Sequence, residues 1–340
     1  MRGVFFAGDR VAVVREKDEP APGPGEVLVR MRAAAVCGSD LHRYRRPASE
    51  IAQFADVIVG HEPCGEVAAV GEGVTLVKPG DRVVVYHRRG CGKCDRCRRG
   101  NLGACYHRRS HGAGCDGADG DYLVTDDRNC LPLPDDMSFV AGAIVACNAG
   151  TAYEAVKKTG VAGGQTLTVF GLGPVGLCVL LCARGFGARV IGVDVSPGRL
   201  ELASKLGASD VVDAGGADVP ARIRELTRGH GADAAVDTSG SAAAHQAMVA
   251  ALAYRGRASV VGFGSVGPSV NLSGLIDREL TIQGSSIFEV GDYWEICEFL
   301  RRQKIDLESI VTHRLPIADA PEAFRLADAA GSGKIVFVWD

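Results

Sequence analysis

Residues 166–176, Thr-Leu-Thr-Val-Phe-Gly-Leu-Gly-Pro-Val-Gly, run from a short apolar stretch directly into three glycines spaced Gly171-x-Gly173-x-x-Gly176. Apolar Val175, Leu177, Val179 and Leu180 follow and read as a helix. A strand that turns through glycines into a helix lets a pyrophosphate approach the helix N-terminus closely. In a chain with 45 glycines such a triplet is weak by itself. Its surroundings strengthen it. Residues 166–170, 189–194, 210–212, 234–237, 258–262 and 280–284 read as six short strands, with helices such as 199–206 and 243–253 between them. This alternation predicts a doubly wound parallel sheet, an α/β Rossmann dinucleotide-binding domain.

Asp194 ends the second of these strands, eighteen residues beyond Gly176. A carboxylate there hydrogen-bonds the adenosine ribose hydroxyls and repels a 2′-phosphate, which favours NAD over NADP. The plainer reading of Asp194 is a strand-end turn residue, and Arg199, five positions on, leaves NADP open. The cofactor-contacting set is therefore Gly171, Gly173, Pro174, Val175, Gly176, Asp194 and Arg199.

The first ~145 residues have a different grammar. Short β-type runs at 11–15, 24–30, 66–70, 79–86 and 122–125 are split by Gly/Pro turns, which suggests a β-rich, barrel-like domain. After the parallel-sheet region, 293–302 and 320–330 read as helices and 334–339 as a strand that returns to the first domain. The resulting division is 1–148 and 287–340 for the catalytic domain, and 149–286 for the cofactor domain.

Cys91, Cys94, Cys97 and Cys105 fall within fifteen residues of the first domain. Thiolates three apart on a Gly-rich loop, with a fourth returning after seven residues, supply the tetrahedral sulfur site that zinc prefers. An iron–sulfur cluster is the main rival, but ferredoxin runs continue with x3-Cys-Pro, whereas Tyr106 follows the fourth cysteine here. Disulfides would need an oxidising compartment. At the N-terminus a charge, Asp9, interrupts the sequence before an apolar leader core can form, so a cytoplasmic location with thiols reduced or on metal is expected. Cys64, Cys115, Cys130, Cys178, Cys182 and Cys297 have no ligand spacing and read as packing residues.

Composition narrows the class further. With 46% hydrophobic and 23% charged residues, the 340-residue chain suits a two-domain globular protein. The longest apolar runs, around 175–183 and 141–149, fall short of the ~20 residues of a membrane span, so no membrane partner is expected. A net charge of −3 exerts no general pull on nucleic acid. Arg96, Arg98 and Arg99 lack an accompanying series of stacking aromatics and read as surface residues.

A second set of ligands is dispersed. Cys37, His61 and Cys147 offer two thiolates and an imidazole, leaving a fourth position open for water or substrate. Singly, each would be dismissed as core; the joint pattern carries the reading.

At this point the chain resembles the zinc-dependent medium-chain alcohol and polyol dehydrogenases over essentially its whole length. The matching pieces are Cys37-Gly-Ser-Asp-Leu-His42, Gly60-His-Glu-Pro-Cys-Gly-Glu66, Pro79-Gly-Asp-Arg-Val83, the four-cysteine lobe, Cys147-Asn-Ala-Gly-Thr151 and the glycine motif. The resemblance implies a GroES-like catalytic domain beside the Rossmann domain. It implies a catalytic zinc on Cys37, His61 and Cys147, with Glu62 behind it or transiently ligating, and a structural zinc on the four-cysteine lobe. It further implies that Asp40 fixes the His61 tautomer, that Ser39 and His42 relay the proton of a substrate hydroxyl, and that Thr151 touches the nicotinamide. Lys334 resembles the position of a basic residue that reaches the cofactor pyrophosphate. A homodimer or homotetramer is implied as well. Polyol-handling members often carry a carboxylate where Cys147 stands, so the ligand pattern leans towards alcohol dehydrogenases.

The pocket leans the other way. Counted from Gly80, His87 falls where many simple alcohol dehydrogenases place an aromatic wall, and Tyr44 follows the relay closely. Both read as substrate contacts that favour a hydroxylated small molecule: a sugar alcohol, sugar or cyclitol. Arg43, Arg45, Arg46, Arg88, Arg89, Arg108 and Arg109 could hold an anionic group if they converge on the cleft, although a solvated loop face or a subunit contact is the simpler reading. The expected function is hydride transfer between a secondary hydroxyl and NAD. The alternatives are a threonine-type amino-alcohol dehydrogenase, a simple alcohol dehydrogenase and, from another class, a non-catalytic NAD-binding structural or sensor protein.

Overall fold

The computed structural model describes residues 1–264 and 272–340. Its first domain begins with an antiparallel hairpin, β1 (Arg2–Gly8) and β2 (Val11–Glu16). Next come β3 (Glu26–Ala35), β4 (Pro63–Val70) and β5 (Arg82–Val85). A short pair, β6 (Arg88–Arg89) with β7 (Arg109–Ser110), brackets the cysteine-rich lobe. β8 (Tyr122–Asp126) and β9 (Cys130–Pro132) complete the first half of the sheet. The long strand β3 organises this domain: β4 pairs along most of it, β8 takes residues 26–30, and the C-terminal β17 (Lys334–Val338) takes residues 33–35. β16 (Val311–Leu315) lies parallel to β17, so the chain end closes the sheet begun near the N-terminus.

The second domain is a six-stranded parallel sheet made from β10 (Thr166–Phe170), β11 (Arg189–Asp194), β12 (Asp210–Asp213), β13 (Ala232–Asp237), β14 (Leu252–Val260) and β15 (Thr281–Gly284). Their order is β12-β11-β10-β13-β14-β15. The order reverses between β10 and β13, and ligands bind at that switch point in open α/β sheets. The six expected strands are all present, because strands covered on both faces read as plain apolar runs. β1, β6, β7, β9 and β16 were not among the expected strands.

A continuous helix, Phe139–Thr159, joins the domains. The expected boundary at 148/149 falls inside it. Ser138 caps its start by accepting from the Ala141 amide at 3.0 Å, and Gly160, with φ +61°, ends it in the left-handed conformation. By length and composition this helix could cross a membrane, contrary to the expectation that no run reaches that size. The interior of the protein explains its character: 78% of its most apolar stretch is buried. Gly150 admits the ring of Phe288 against the helix, where a Cβ would lie 2.2 Å from the ring. Tyr86 Oη donates to the Phe288 carbonyl at 3.1 Å, so the end of β5 is tied to the strand-to-helix crossing between the domains.

Below the first-domain sheet, His111 is 2% exposed. The Asp116 carbonyl only accepts, so Nδ1 donates to it at 2.8 Å and Nε2 accepts from Thr125 Oγ1 at 3.0 Å. Burial pushes this imidazole down to about 4. The folded ring therefore stays neutral, while the unfolded ring takes up a proton below about 6.5. The stability it contributes is present above pH 6.5 and declines as pH falls towards 4. In urea unfolding, His111→Gln is expected to destabilise the protein less at pH 5 than at pH 7.5, by about 2 kcal/mol; an equal cost at both pH values would contradict the neutral-ring assignment.

Candidate functional site

The loop after β3 and the start of β4 converge on the widened middle of the long helix. Residues Val145–Ala149 form a π turn, a feature often found at functional sites. It delivers Cys147 to Cys37, His61 and Glu62, and the ligand atoms of these four lie within 4.8 Å of one another. His61 Nδ1 is 2.9 Å from Asp40 Oδ1. That carboxylate only accepts, which leaves Nε2 free to ligate a metal. Asp40 Oδ2 also accepts the Cys37 amide at 3.3 Å, so one carboxylate orients two ligands. The adjacent Cys147 thiol contributes most to holding Cys37 well below the usual thiol range. A set of two cysteines and one imidazole fits zinc with an open position.

Ser39 sits at the mouth of this set, its Oγ 3.3 Å from both Cys37 Sγ and His61 Nε2. His42 is exposed one turn further along the helix Asp40–Tyr44. Glu62, 0% exposed, lies behind the ligands. One of its oxygens accepts from Asn148 Nδ2 at 2.9 Å, and the other pairs with Lys334 Nζ at 2.6 Å. Lys334 is also fully buried and donates to the Val36 carbonyl at 2.8 Å. Burial opposes its charge, but Glu62 and Cys37 keep its pKa raised. Lys334 thus braces the metal-ligand set, and its expected place at a pyrophosphate is corrected.

His87 is 7% exposed, with its ring 4.9 Å from that of His61. Burial, followed by the neighbouring His61, holds it well below the usual imidazole range, and Nδ1 has no hydrogen-bond partner among the described residues. Tyr44 departs from expectation. Its ring packs 5.5 Å from Phe6 and 5.6 Å from Phe324 in the apolar core, because it shares the buried face of its short helix with Leu41 three positions earlier. Most of the arginines are committed elsewhere. Arg43 bonds the Gly112 carbonyl, Arg45 pairs with Asp328, and Arg88 donates to Ser286. Arg89 pairs with Glu26 and Asp126, while Arg108 and Arg109 bond carbonyls of their own loop.

In the lobe, Cys91, Cys94, Cys97 and Cys105 also place their sulfurs within 4.8 Å of one another. Four sulfurs at ~2.3 Å around one ion sit ~3.8 Å apart. The Cys94–Cys105 separation is 3.8 Å. Cys105 Sγ accepts the amides of Cys91 and His107, and the Lys93 and Cys94 amides lower Cys91 to about 6. These donors favour thiolates, and the quartet fits a closed, structural zinc.

At the dinucleotide end, Gly171 has φ +89°, and a Cβ on Gly176 would lie 1.9 Å from the Gly171 carbonyl oxygen. Gly173 caps the helix Pro174–Gly185, with Pro174 and Val175 in its first turn. The space over Gly173 is open except for the Arg199 guanidinium, 3.9 Å from a built Cβ. Asp194 accepts the Leu172 amide at 2.6 Å and the Ser196 amide at 2.9 Å, which fixes its carboxylate beside the glycine turn. Thr151 is buried in the long helix. Sequence reasoning missed Asn148 and the loop after β13. In that loop Asp237 accepts from Ser239, Gly240 and His245, and Ser239 packs against Gly171. A second acidic strand end at the switch point was the available signal.

Fold and sites together define a zinc-binding oxidoreductase with a GroES-like domain and a Rossmann domain. Residues 23–135 match the alcohol dehydrogenase GroES-like domain, and residues 174–302 match the zinc-binding dehydrogenase domain. The chain is 36% identical to YphC of Escherichia coli K12, an uncharacterised zinc-type alcohol dehydrogenase-like protein, over 99% of this chain and 98% of that one. It is 34% identical to an L-threonine 3-dehydrogenase of Pyrococcus abyssi and 31% identical to a sorbitol dehydrogenase of Halalkalibacterium halodurans, covering 95% of this chain and 94% of the relative in each case. The solved structure of the alcohol dehydrogenase TADH from Thermus sp. ATN1 superposes with a TM-score of 0.91 at 31% identity, covering 99% of both chains. The chain belongs to the zinc-dependent medium-chain dehydrogenase family.

The open face of Gly173 separates folding from binding. Gly173→Val is expected to leave the melting temperature unchanged while weakening NADH binding about tenfold or more, read by the quenching of protein fluorescence. Unaltered NADH affinity would contradict the placement of the pyrophosphate on this turn.

Proposed function

We propose that the protein oxidises a secondary hydroxyl of a polyol, sugar or cyclitol-like substrate with NAD, or reduces the corresponding ketone in reverse. The observation that carries the substrate class is His87, a buried polar ring 4.9 Å from His61 whose Nδ1 has no partner among the described residues. An apolar wall at this place would suit a hydrocarbon chain. A ring nitrogen kept neutral by burial can instead bond a second hydroxyl, and without one it stays unpaired at a cost of about 1–3 kcal/mol. The commitments of Arg43, Arg45 and Arg88 to groups of the protein speak against an amino acid carboxylate, and so against the threonine-type reading.

Cys37, His61 and Cys147 would hold zinc, which supplies a Lewis acid that lowers the pKa of an alcohol. Asp40 keeps His61 in the ligating tautomer. Ser39 Oγ, at the mouth of the site, would accept the substrate hydroxyl proton while releasing its own, which leaves by way of the exposed His42 to solvent. Thr151, buried in the long helix, would lie against the nicotinamide, and NAD when bound supplies the hydride acceptor. Asp194, held beside the glycine turn by the Leu172 and Ser196 amides, would accept from the adenosine ribose and so favour NAD, with Arg199 over the turn. The four-cysteine lobe holds a second zinc and takes no part in the reaction. A cytoplasmic homodimer or homotetramer completes the reading.

NADH formation followed at 340 nm over polyols, cyclitols, amino alcohols and simple alcohols tests this proposal. Turnover is expected on vicinal-hydroxyl substrates with NAD, and Ser39→Ala should lower kcat about 10²-fold or more without altering NADH affinity. Turnover confined to simple primary alcohols would discard the role given to His87. NADH affinity without turnover on any substrate would favour a non-catalytic NAD-binding protein.

A further inference from the structure

Resting on the metal-site reading above, we propose that Asn148 is a positioning residue that, together with Lys334, holds the Glu62 carboxylate out of the metal's coordination shell and keeps the fourth position open. Glu62 lies close enough to be a ligand: one of its oxygens belongs to the group of atoms within 4.8 Å that includes Cys37, His61 and Cys147. Two partners hold it back. Asn148 Nδ2 donates to Oε1 at 2.9 Å, and Lys334 Nζ lies 2.6 Å from Oε2. Asn148 therefore supplies the hydrogen bond on Oε1, while Oε2 is ion-paired with the buried Lys334 and has no hydrogen-bond partner among the described residues.

Asn148 is 0% exposed, and its Oδ1 has no hydrogen-bond partner among the described residues. A buried amide with one end unpaired is costly, and an apolar side chain of similar size would avoid that cost. Its other end is well used. Nδ2 bonds Glu62 and also lies 3.9 Å from Cys37 Sγ, so one amide group reaches both a metal ligand and the competing carboxylate. The π turn Val145–Ala149 makes this reach possible, because Cys147 and its neighbour Asn148 both arrive at the site from consecutive positions. Without Asn148, Lys334 alone would hold Glu62 by one oxygen, and the freed oxygen would be available to the metal.

The test uses the full-length protein with cobalt(II) in place of zinc and imidazole as the probe, titrated by visible absorption. Asn148→Leu is expected to raise the imidazole Kd about tenfold or more, because Glu62 then competes for the open position. The double variant Asn148→Leu/Glu62→Gln, set against Glu62→Gln alone so that the loss of the Lys334 partner is common to both, should bind imidazole as tightly as Glu62→Gln, a rescue that a purely structural defect at residue 148 would not show. Asn148→Ser, too short to reach Glu62, gives the same reading if the leucine variant does not fold. An unchanged Kd in the Asn148 single variants, or a double variant as weak as Asn148→Leu, would overturn the role of Asn148 while leaving the metal site standing. Failure of the wild-type protein to take up cobalt at Cys37, His61 and Cys147 would overturn the metal-site reading and this proposal with it.

Discussion

The buried pair between Lys334 and Glu62 ties the architecture together. Lys334 begins the last strand, Glu62 immediately precedes β4, and the lysine also bonds the Val36 carbonyl beside Cys37. Both side chains are fully buried, so each charge depends on the other. Removing one partner of such a pair typically costs about 3–5 kcal/mol. The C-terminal strand therefore does more than complete a sheet. It brings a cation behind the metal ligands, where it opposes the upward push that burial gives the Glu62 carboxyl and faces the nearby thiol of Cys37.

From that brace the two halves of the chemistry follow. The first domain supplies Cys37, Ser39, Asp40, His61 and His87 from loops and strand ends, and the long helix carries Cys147 and Thr151 from the same interior surface. The glycine turn and Asp194 occupy the switch point of the parallel sheet. Phe288, seated on Gly150 and bonded by Tyr86, locks the crossing between the domains one residue from the buried His87. His87, the Cys37–His61–Cys147 cluster and the domain crossing therefore form one packed unit.

Local chemistry was legible in the sequence and long-range pairing was not. The six parallel strands, the four-cysteine lobe and the glycine turn each declare themselves within a short window, through apolar runs, ligand spacing or turn residues. Lys334 does not: its partners Glu62 and Val36 are far away in the chain, and a lone lysine before a strand carries no sign of burial. Tyr44 misled because proximity to His42 in sequence said nothing of which helix face it occupies. Asn148 carries no signal of its own, because consecutive residues of a regular helix point apart, and only the π turn brings both Cys147 and Asn148 to the site. The membrane-length helix was underestimated because Glu154, Lys157 and Lys158 interrupt its apolar pattern near the end.

The central claim is that dispersed residues of the first domain and the long helix hold a metal beside the dinucleotide turn. Anomalous diffraction at the zinc edge from crystals of the purified protein tests it directly. The account predicts two peaks per chain, one enclosed by Cys91, Cys94, Cys97 and Cys105 and the other bounded by Cys37, His61 and Cys147. A metal confined to the lobe, with none between Cys37, His61 and Cys147, would contradict it.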